Sequence, residues 1–270
     1  MDGTRRWCRR TARCCCGSGG REEKSDERTG LTDSITAHYD HIATDYDRQV
    51  DGIAANRDIR AAFRKRAAEL VGPSSTILDF GCGTGTDAAW YAARGHRVVA
   101  YDVSTGMVDV LRSRCATEIA AGAIVPVVGG QQVLDEALSR IAPVDAVTAN
   151  FAALNHVADL ESVFAALAPR LRAGGVLVAS LLNPLQRTDV RGRWWFKRMW
   201  INLWRDTVVV RGDVITYRHQ VRALRRMARR WFTIEEIANI DAGGRWSAAR
   251  PSWRDLRRCE FRFFVLRKRA

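Results

Sequence analysis

Three glycines at alternate positions, Gly81, Gly83 and Gly85, sit directly after the short apolar run Thr76-Ile77-Leu78-Asp79-Phe80. A strand there would deliver Asp79 at its end, and the glycines would let the backbone turn sharply beneath a ligand before the next helix begins. The bend Gly81-Cys82-Gly83-Thr84-Gly85 can receive the amino-acid part and ribose of an adenosyl compound without side-chain clash. A dinucleotide fingerprint would need glycine at position 86, where the chain has Thr86, so the register suits S-adenosylmethionine (SAM) better than a nicotinamide dinucleotide. Seventeen residues beyond Gly85, a second apolar run ends in Tyr101-Asp102. Its carboxylate falls where two ribose hydroxyls would lie and can accept from both. A plain turn residue is the other reading of Asp102.

These residues need a scaffold, and the apolar pattern supplies one. From Thr76 onward, short apolar runs alternate with amphipathic stretches, as in a parallel sheet covered by helices on both faces. The spacing predicts strands over 76–80, 97–101, 124–128, 144–149 and 176–181, then two late strands over 232–240 and 261–267, one of them antiparallel. Helices are expected over 87–94, 105–119, 133–141 and 160–171. The fold class is α/β: a doubly wound, mostly parallel seven-stranded sheet with Rossmann-like winding. Upstream, Ile35, Tyr39, Ile42 and Tyr46 recur at helical spacing behind a Thr32 or Asp33 cap. Ile59, Phe63, Ala67 and Leu70 share the face of a second helix, which Gly72-Pro73 would end. Residues 1–30 carry hardly any large apolar side chain and are expected to be disordered. One domain over 31–270 follows, interrupted by a Trp/Arg-rich insertion at about 185–230 between the fifth and sixth strands.

Several stretches, taken in order, resemble the class I SAM-dependent methyltransferase superfamily, in particular small-molecule enzymes similar to the ubiquinone/menaquinone biosynthesis methyltransferases. They are His38-Tyr39-Asp40 with Tyr46-Asp47, Leu78 to Gly85, Asp102-Val103-Ser104 with Met107, Asp145-Ala146-Val147 leading to Leu154-Asn155-His156-Val157, and Leu171-Arg172-Ala173-Gly174-Gly175. The resemblance implies that Asp79, Gly81, Cys82, Gly83, Thr84 and Gly85 contact the methionine moiety, Asp102 the ribose, and Val103 and Met107 the adenine faces. It implies that Tyr39 and Tyr46 close over the cofactor and that Asn150 and Phe151 line the sulfonium side. Arg57 or Arg60 would pair the cofactor carboxylate, or serve as ordinary helix-surface residues. One departure stands out. The family's Gly-Asp after the third strand is replaced by Gly129-Gly130-Gln131-Gln132, which leaves Gln131 to accept from the adenine amino group.

Methyl transfer from a sulfonium is an in-line displacement that needs alignment and, for a protonated nucleophile, a base. His156, just past the fourth strand, is the first candidate base, with packing as its bland alternative. His219, in Tyr217-Arg218-His219 on the insertion, is the second. His38 and His41 read as helix-surface residues. Cys82 is placed inside the cofactor loop and is no nucleophile, so pyrimidine C5 methylation is unsupported. Asn150-Phe151-Ala152-Ala153 does not match the Asn-Pro-Pro-Tyr type of loop used on nucleobase amines, so a small-molecule substrate is favoured over nucleic acid.

Charge is divided unevenly. Residues 1–184 hold 21 basic and 22 acidic side chains, residues 185–270 hold 22 and 8, and the net charge is +13. The basic third suits an anionic partner, but 39 of the 43 basic residues are arginine, as a GC-rich genome would also produce. Trp194, Trp195, Phe196, Trp200 and Trp204, interleaved with basic residues, read either as a packed lid or as a cover touching an anionic membrane surface. A basic RNA- or membrane-binding protein that keeps the fold, acting through Arg222, Arg225, Arg226, Arg229 and Arg230, is the alternative function. The cysteines Cys8, Cys14, Cys15 and Cys16 lie in the tail and the rest are scattered, so neither a disulfide framework nor a zinc site is expected. With no long apolar run and no signal-like N-terminus, a cytoplasmic location is expected.

Overall fold

The computed structural model describes residues 34–183, 207–211, 214–241, 243–247 and 259–269. The tail at 1–30 and the aromatic residues at 194–204 lie outside them. The early apolar runs form parallel strands: β1 (Thr76–Phe80), β2 (Arg97–Asp102), β3 (Ile124–Val128), β4 (Val144–Ala149) and β5 (Leu171–Leu182). β6 (Thr207–Arg211) and β7 (Val214–Arg218) pair as a separate two-stranded hairpin. β8 (Phe232–Ile240), the two-residue β9 (Trp246–Ser247) and β10 (Phe261–Lys268) complete the main sheet. Its order is β3-β2-β1-β4-β5-β10-β8-β9. β10 runs antiparallel between β5 and β8, which identifies the antiparallel strand anticipated among the last two. The short β9 adds an eighth, edge strand to the seven expected.

Two apolar layers sandwich this sheet because its strands alternate. On one face Ile77, Val98, Ala100, Val178 and Phe263 pack with Ile59, Phe63 and Ala67 of α3 (Ala54–Leu70), Tyr91 of α4 (Thr86–Ala92) and Leu111 of α5 (Thr105–Arg114). The Phe63 and Phe263 rings meet edge-on at 4.9 Å. The short α6 (Ala116–Ala120) follows α5. On the other face Leu78, Phe80, Val99 and Tyr101 pack with α7 (Gln131–Ser139), α8 (Leu160–Leu167) and α9 (Val221–Ala228). Burial on both faces is why the strands read as continuous apolar runs.

Four expectations are adjusted. The first helix, expected to run through Tyr46, is broken at 43–45 into α1 (residues 34–42) and α2 (Tyr46–Asp51). The helix expected over 105–119 is divided at Cys115, and that over 160–171 ends in a 3₁₀ turn, Ala168–Arg170. The part of the insertion near its end is not an addition to the fold. It is α9, whose Leu224 and Ala228 enter the core beside Phe164 and Phe232. Arg222, Arg225 and Arg226 occupy its exposed face and Arg229 and Arg230 are exposed just past its end, so amphipathic packing accounts for the spacing of the first three. Among the described residues no helix is long and apolar enough to cross a membrane.

Leu224→Ala is expected to cost about 2–4 kcal/mol, and Arg226→Ala on the opposite face under about 0.5 kcal/mol, measured by urea denaturation. Similar small effects at both positions would remove α9 from the core.

Candidate active site

A cavity of about 470 Å³ lies beyond the C-terminal ends of β1, β2 and β4. The glycine bend forms its floor at β1. Gly81 and Cys82 both donate their N–H groups to the Tyr101 carbonyl, at 2.8 and 2.9 Å, which folds the bend against β2. Gly81, Gly83 and Gly85 have φ of 73°, 53° and 80°, a region open mainly to glycine. Two of them are also packed too closely for a side chain. A Cβ on Gly81 would lie 2.4 Å from that of Ala153, and one on Gly85 2.6 Å from Leu111 Cγ.

Asp102 faces the same cavity. Its Oδ2 accepts from Gly83 N at 2.9 Å and its Oδ1 from Ser104 N at 3.0 Å. Each oxygen keeps lone-pair capacity for another donor. Burial pushes its carboxyl above the usual range, while the Ser104 and Gly83 amides oppose that. Val103, Met107 and Gln131 line the adjoining wall. Gln131 Nε2 donates to Asp135 Oδ1 at 3.1 Å, which leaves Oε1 as its acceptor.

The N-terminal helices cover the cavity and are tied down by two carboxylates. Asp40 Oδ1 accepts from Ser104 Oγ at 2.6 Å and Gly106 N at 2.8 Å, capping α5 from another helix. Asp47 Oδ1 accepts from Thr84 Oγ1 at 2.5 Å, and its other oxygen pairs with Arg114. Tyr39 and Tyr46, both lining the cavity, are held with ring centroids 6.2 Å apart. Burial pushes the Tyr46 hydroxyl up to about 12.

Behind the bend lies a buried polar cluster that sequence reading did not assemble. Asp87 accepts from Arg60 Nη1 at 3.0 Å, Arg64 Nε at 2.6 Å and Asn150 Nδ2 at 2.9 Å. Burial alone would raise its carboxyl, but the two guanidinium groups hold it below the usual carboxylate range. Arg60 also pairs with Asp51 and lies over the Phe151 ring at 4.4 Å. Asn150 Oδ1 accepts from Ser180 Oγ and Phe151 N. Asn150 thus presents its flank, with both ends of its amide engaged by the protein. No local signal could reveal a pairing across 27 residues of sequence.

Of the expected cofactor residues, Tyr39, Tyr46, Gly81, Cys82, Gly83, Thr84, Asp102, Val103, Met107, Gln131, Asn150 and Phe151 all line the cavity. Asp79 does not. The pleat that sends Leu78 and Phe80 to one face sends Asp79 to the other, where it is buried and its Oδ1 accepts from Thr148 Oγ1 at 3.0 Å. Gly85 also lies outside the lining and serves as the cap of α4. Arg60 reaches the cavity and Arg57 does not. Cys82 keeps a thiol that burial pushes well up.

His156 lines the cavity, with Nε2 2.9 Å from the Tyr39 hydroxyl and Nδ1 3.1 Å from the Ile215 carbonyl. Burial lowers its pKa. His219 is corrected: it is buried, with Nε2 3.3 Å from the Val157 carbonyl, and stacks on Tyr217 outside the cavity. Tyr217 lines the cavity instead, so the insertion contributes at a neighbouring position. Ile35, Asp159 and Ser162 complete that end and were not anticipated.

A parallel sheet with its last strand inserted antiparallel beside the fifth is a Rossmann-like fold that the chain shares with solved S-adenosylmethionine-dependent methyltransferases. Residues 77–175 match a family model described as a methyltransferase domain. The demethylmenaquinone methyltransferase of Clavibacter sepedonicus is 38% identical over 84 residues, which are 30% of this chain and 34% of that protein. The malonyl-[acyl-carrier protein] O-methyltransferase of Serratia marcescens is 28% identical over 177 residues, 62% of this chain and 65% of its own length. The chain therefore spans less than two thirds of either relative. The crystal structure of Burkholderia thailandensis 1,6-didemethyltoxoflavin-N1-methyltransferase, with 1,6-didemethyltoxoflavin and S-adenosylhomocysteine bound, superposes with a TM-score of 0.59 at 16% identity, covering 91% of this chain and 90% of that one.

Asp79 yields a test of the buried cluster. Burial, then the nearby Asp87 charge, pushes its carboxyl up to about 7 from an ordinary 3.8. Because the folded-state value is raised, the stability linked to this group is complete below about pH 4 and is lost as pH rises through about 7. Asp79→Asn is expected to stabilise by on the order of 2 kcal/mol at pH 8 and to be nearly neutral at pH 4.5, read from urea midpoints. Equal effects at the two pH values would contradict an ionisation of Asp79 between them.

Proposed function

We propose that the protein transfers a methyl group from SAM to an oxygen, nitrogen or carbon nucleophile of a small, partly apolar molecule. The observation that carries this reading is the convergence of the glycine bend and the Asp102 carboxylate on one cavity. Donor set and shape fit the cofactor. Asp102 offers two acceptor oxygens to ribose hydroxyls, Gln131 Oε1 an acceptor to the adenine amino group, and Val103 and Met107 an apolar slot. Gly83 leaves room for the ligand's close approach, since a Cβ there would point at Tyr46 and Met107. Among the described residues that line the cavity, Arg60, its position set by Asp51 and Asp87, is the guanidinium or ammonium group nearest to hand for a ligand carboxylate. The bound cofactor would supply an electrophilic sulfonium methyl group, leaving S-adenosylhomocysteine as by-product.

The chain's part in such a reaction is mainly alignment and exclusion of water. Tyr39 and Tyr46 cover the bend, and Ile35, Val157 and Val163 add apolar wall beside Asp159 and Ser162 at the far end, which favours a small molecule with a partly nonpolar body. By their names the relatives above act on demethylmenaquinone, malonyl-[acyl-carrier protein] and 1,6-didemethyltoxoflavin, so they support the reaction type more than any one acceptor.

Calorimetric titration with S-adenosylhomocysteine is expected to give a dissociation constant below about 100 µM. Asp102→Asn, which keeps the side-chain shape, is expected to weaken it roughly tenfold or more. Absence of binding by folded wild-type protein at millimolar ligand would reject the proposal.

A further inference from the structure

We infer that Tyr39, His156 and the Ile215 carbonyl form a proton relay that serves a protic acceptor such as a hydroxyl, an enol or a ring N–H. This rests on the methyl-transfer reading above and adds a substrate class to it. A carbonyl oxygen only accepts, so the 3.1 Å contact between Ile215 O and His156 Nδ1 puts the imidazole proton on Nδ1. In the neutral ring Nε2 is then an acceptor, and the Tyr39 hydroxyl 2.9 Å away must be its donor. The Tyr39 oxygen is left with lone pairs and no proton to give elsewhere. Both side chains line the cavity, and Tyr39 is next to Tyr46, which covers the bend at Gly83.

Such an arrangement accepts a proton without forming phenolate. As the acceptor atom bonds to the methyl carbon, the carbon–sulfur pair stays on sulfur. The acceptor's proton passes to the Tyr39 oxygen, and the Tyr39 proton passes to His156 Nε2. The imidazolium so formed still donates to Ile215 and returns its proton to water through the part of its half-buried ring that stays accessible. Burial favours the neutral, proton-accepting ring at rest, as do the cationic Arg218 and nearby His38. Burial likewise keeps Tyr39 a phenol, with Tyr46 and Asp102 acting in the same sense. A nucleophile without a proton, such as a thioether or a carboxylate, would have no use for this chain. The partner that orients His156 comes from the β6–β7 hairpin, so this insertion sets the tautomer from outside the methyltransferase core. Asn155, next to His156, holds the same strand by donating from Nδ2 to the Tyr217 carbonyl at 2.6 Å.

The test uses the S-adenosylhomocysteine complex of the full chain. In ¹⁵N-histidine-labelled protein at pH 7.5, the His156 signals should report a proton on Nδ1 and a bare Nε2; the reverse tautomer overturns the relay. With 4-nitrophenol as a protic probe, its apparent pKa in the complex, followed at 400 nm, should fall by about one unit and return to the free value in Tyr39→Phe and in His156→Asn. Titration with S-adenosylhomocysteine separates the two readings. If no protein binds it, methyl transfer fails and the relay with it. If all three bind it and the probe titrates alike in each, or fails to bind at all, the relay alone is wrong.

Discussion

Strand β1 has β2 on one side and β4 on the other, and this constraint organises the molecule. The chain leaves β1 and β2 over one face of the sheet and β3 and β4 over the other, so a crevice opens where the strands end. Everything with chemical potential hangs over that crevice. The bend after β1 is drawn against β2 by two amides on the Tyr101 carbonyl, and Asp102 accepts a third from Gly83. The acid that would meet a ribose is therefore also the group that shapes the loop, which couples affinity to loop geometry.

The floor of the crevice carries a cost. Phe151 and Ala152 follow β4 with φ of 46° and 65°, a left-handed pair that costs about 1–3 kcal/mol per residue. Hydrogen bonds from Phe151 N to Asn150 Oδ1 and from Ala152 N to Ser180 O hold it. Asn150 is held in turn by Asp87, and Asp87 by Arg60 and Arg64. A buried carboxylate with two guanidinium partners is compensated in charge, and the adjacent Asp79 avoids a second buried anion by keeping its proton to about pH 7. The cluster thus transmits order from α3 through α4 to the end of β4, beneath the place where a methyl group would be delivered.

Two segments outside the matched domain complete the site. The N-terminal helices enter from before it and are tied by Asp40 and Asp47. The β6–β7 hairpin enters from after it and is tied by Asn155 and His156. They meet through His156 of the matched domain, whose ring touches the Tyr39 hydroxyl of α1, 117 residues away, and the Ile215 carbonyl of the hairpin. The sheet ends supply the bend and Asp102, and the additions contribute Ile35, Tyr39, Tyr46 and Tyr217 to the cavity wall, a division that lets one fold host different ligands.

Strand positions, the winding of the sheet, the glycine bend and Asp102 were legible in the sequence because each is a local property. A run buried on both faces is apolar throughout, a positive φ calls for glycine, and a strand-end acid follows its strand by a fixed spacing. Which face a side chain takes was harder to read. Asp79 turned to the back of the bend, and on β7 Tyr217, not the nearby His219, reached the cavity. The core role of α9 was hidden by its arginines, since amphipathic helices and basic patches share a composition. The Asp87 cluster, the tie of Asp47 to Arg114 and the tautomer of His156 were decided by tertiary structure alone. Each joins groups 27 to 67 residues apart or more, and such contacts exist only once sheet order has brought their elements together.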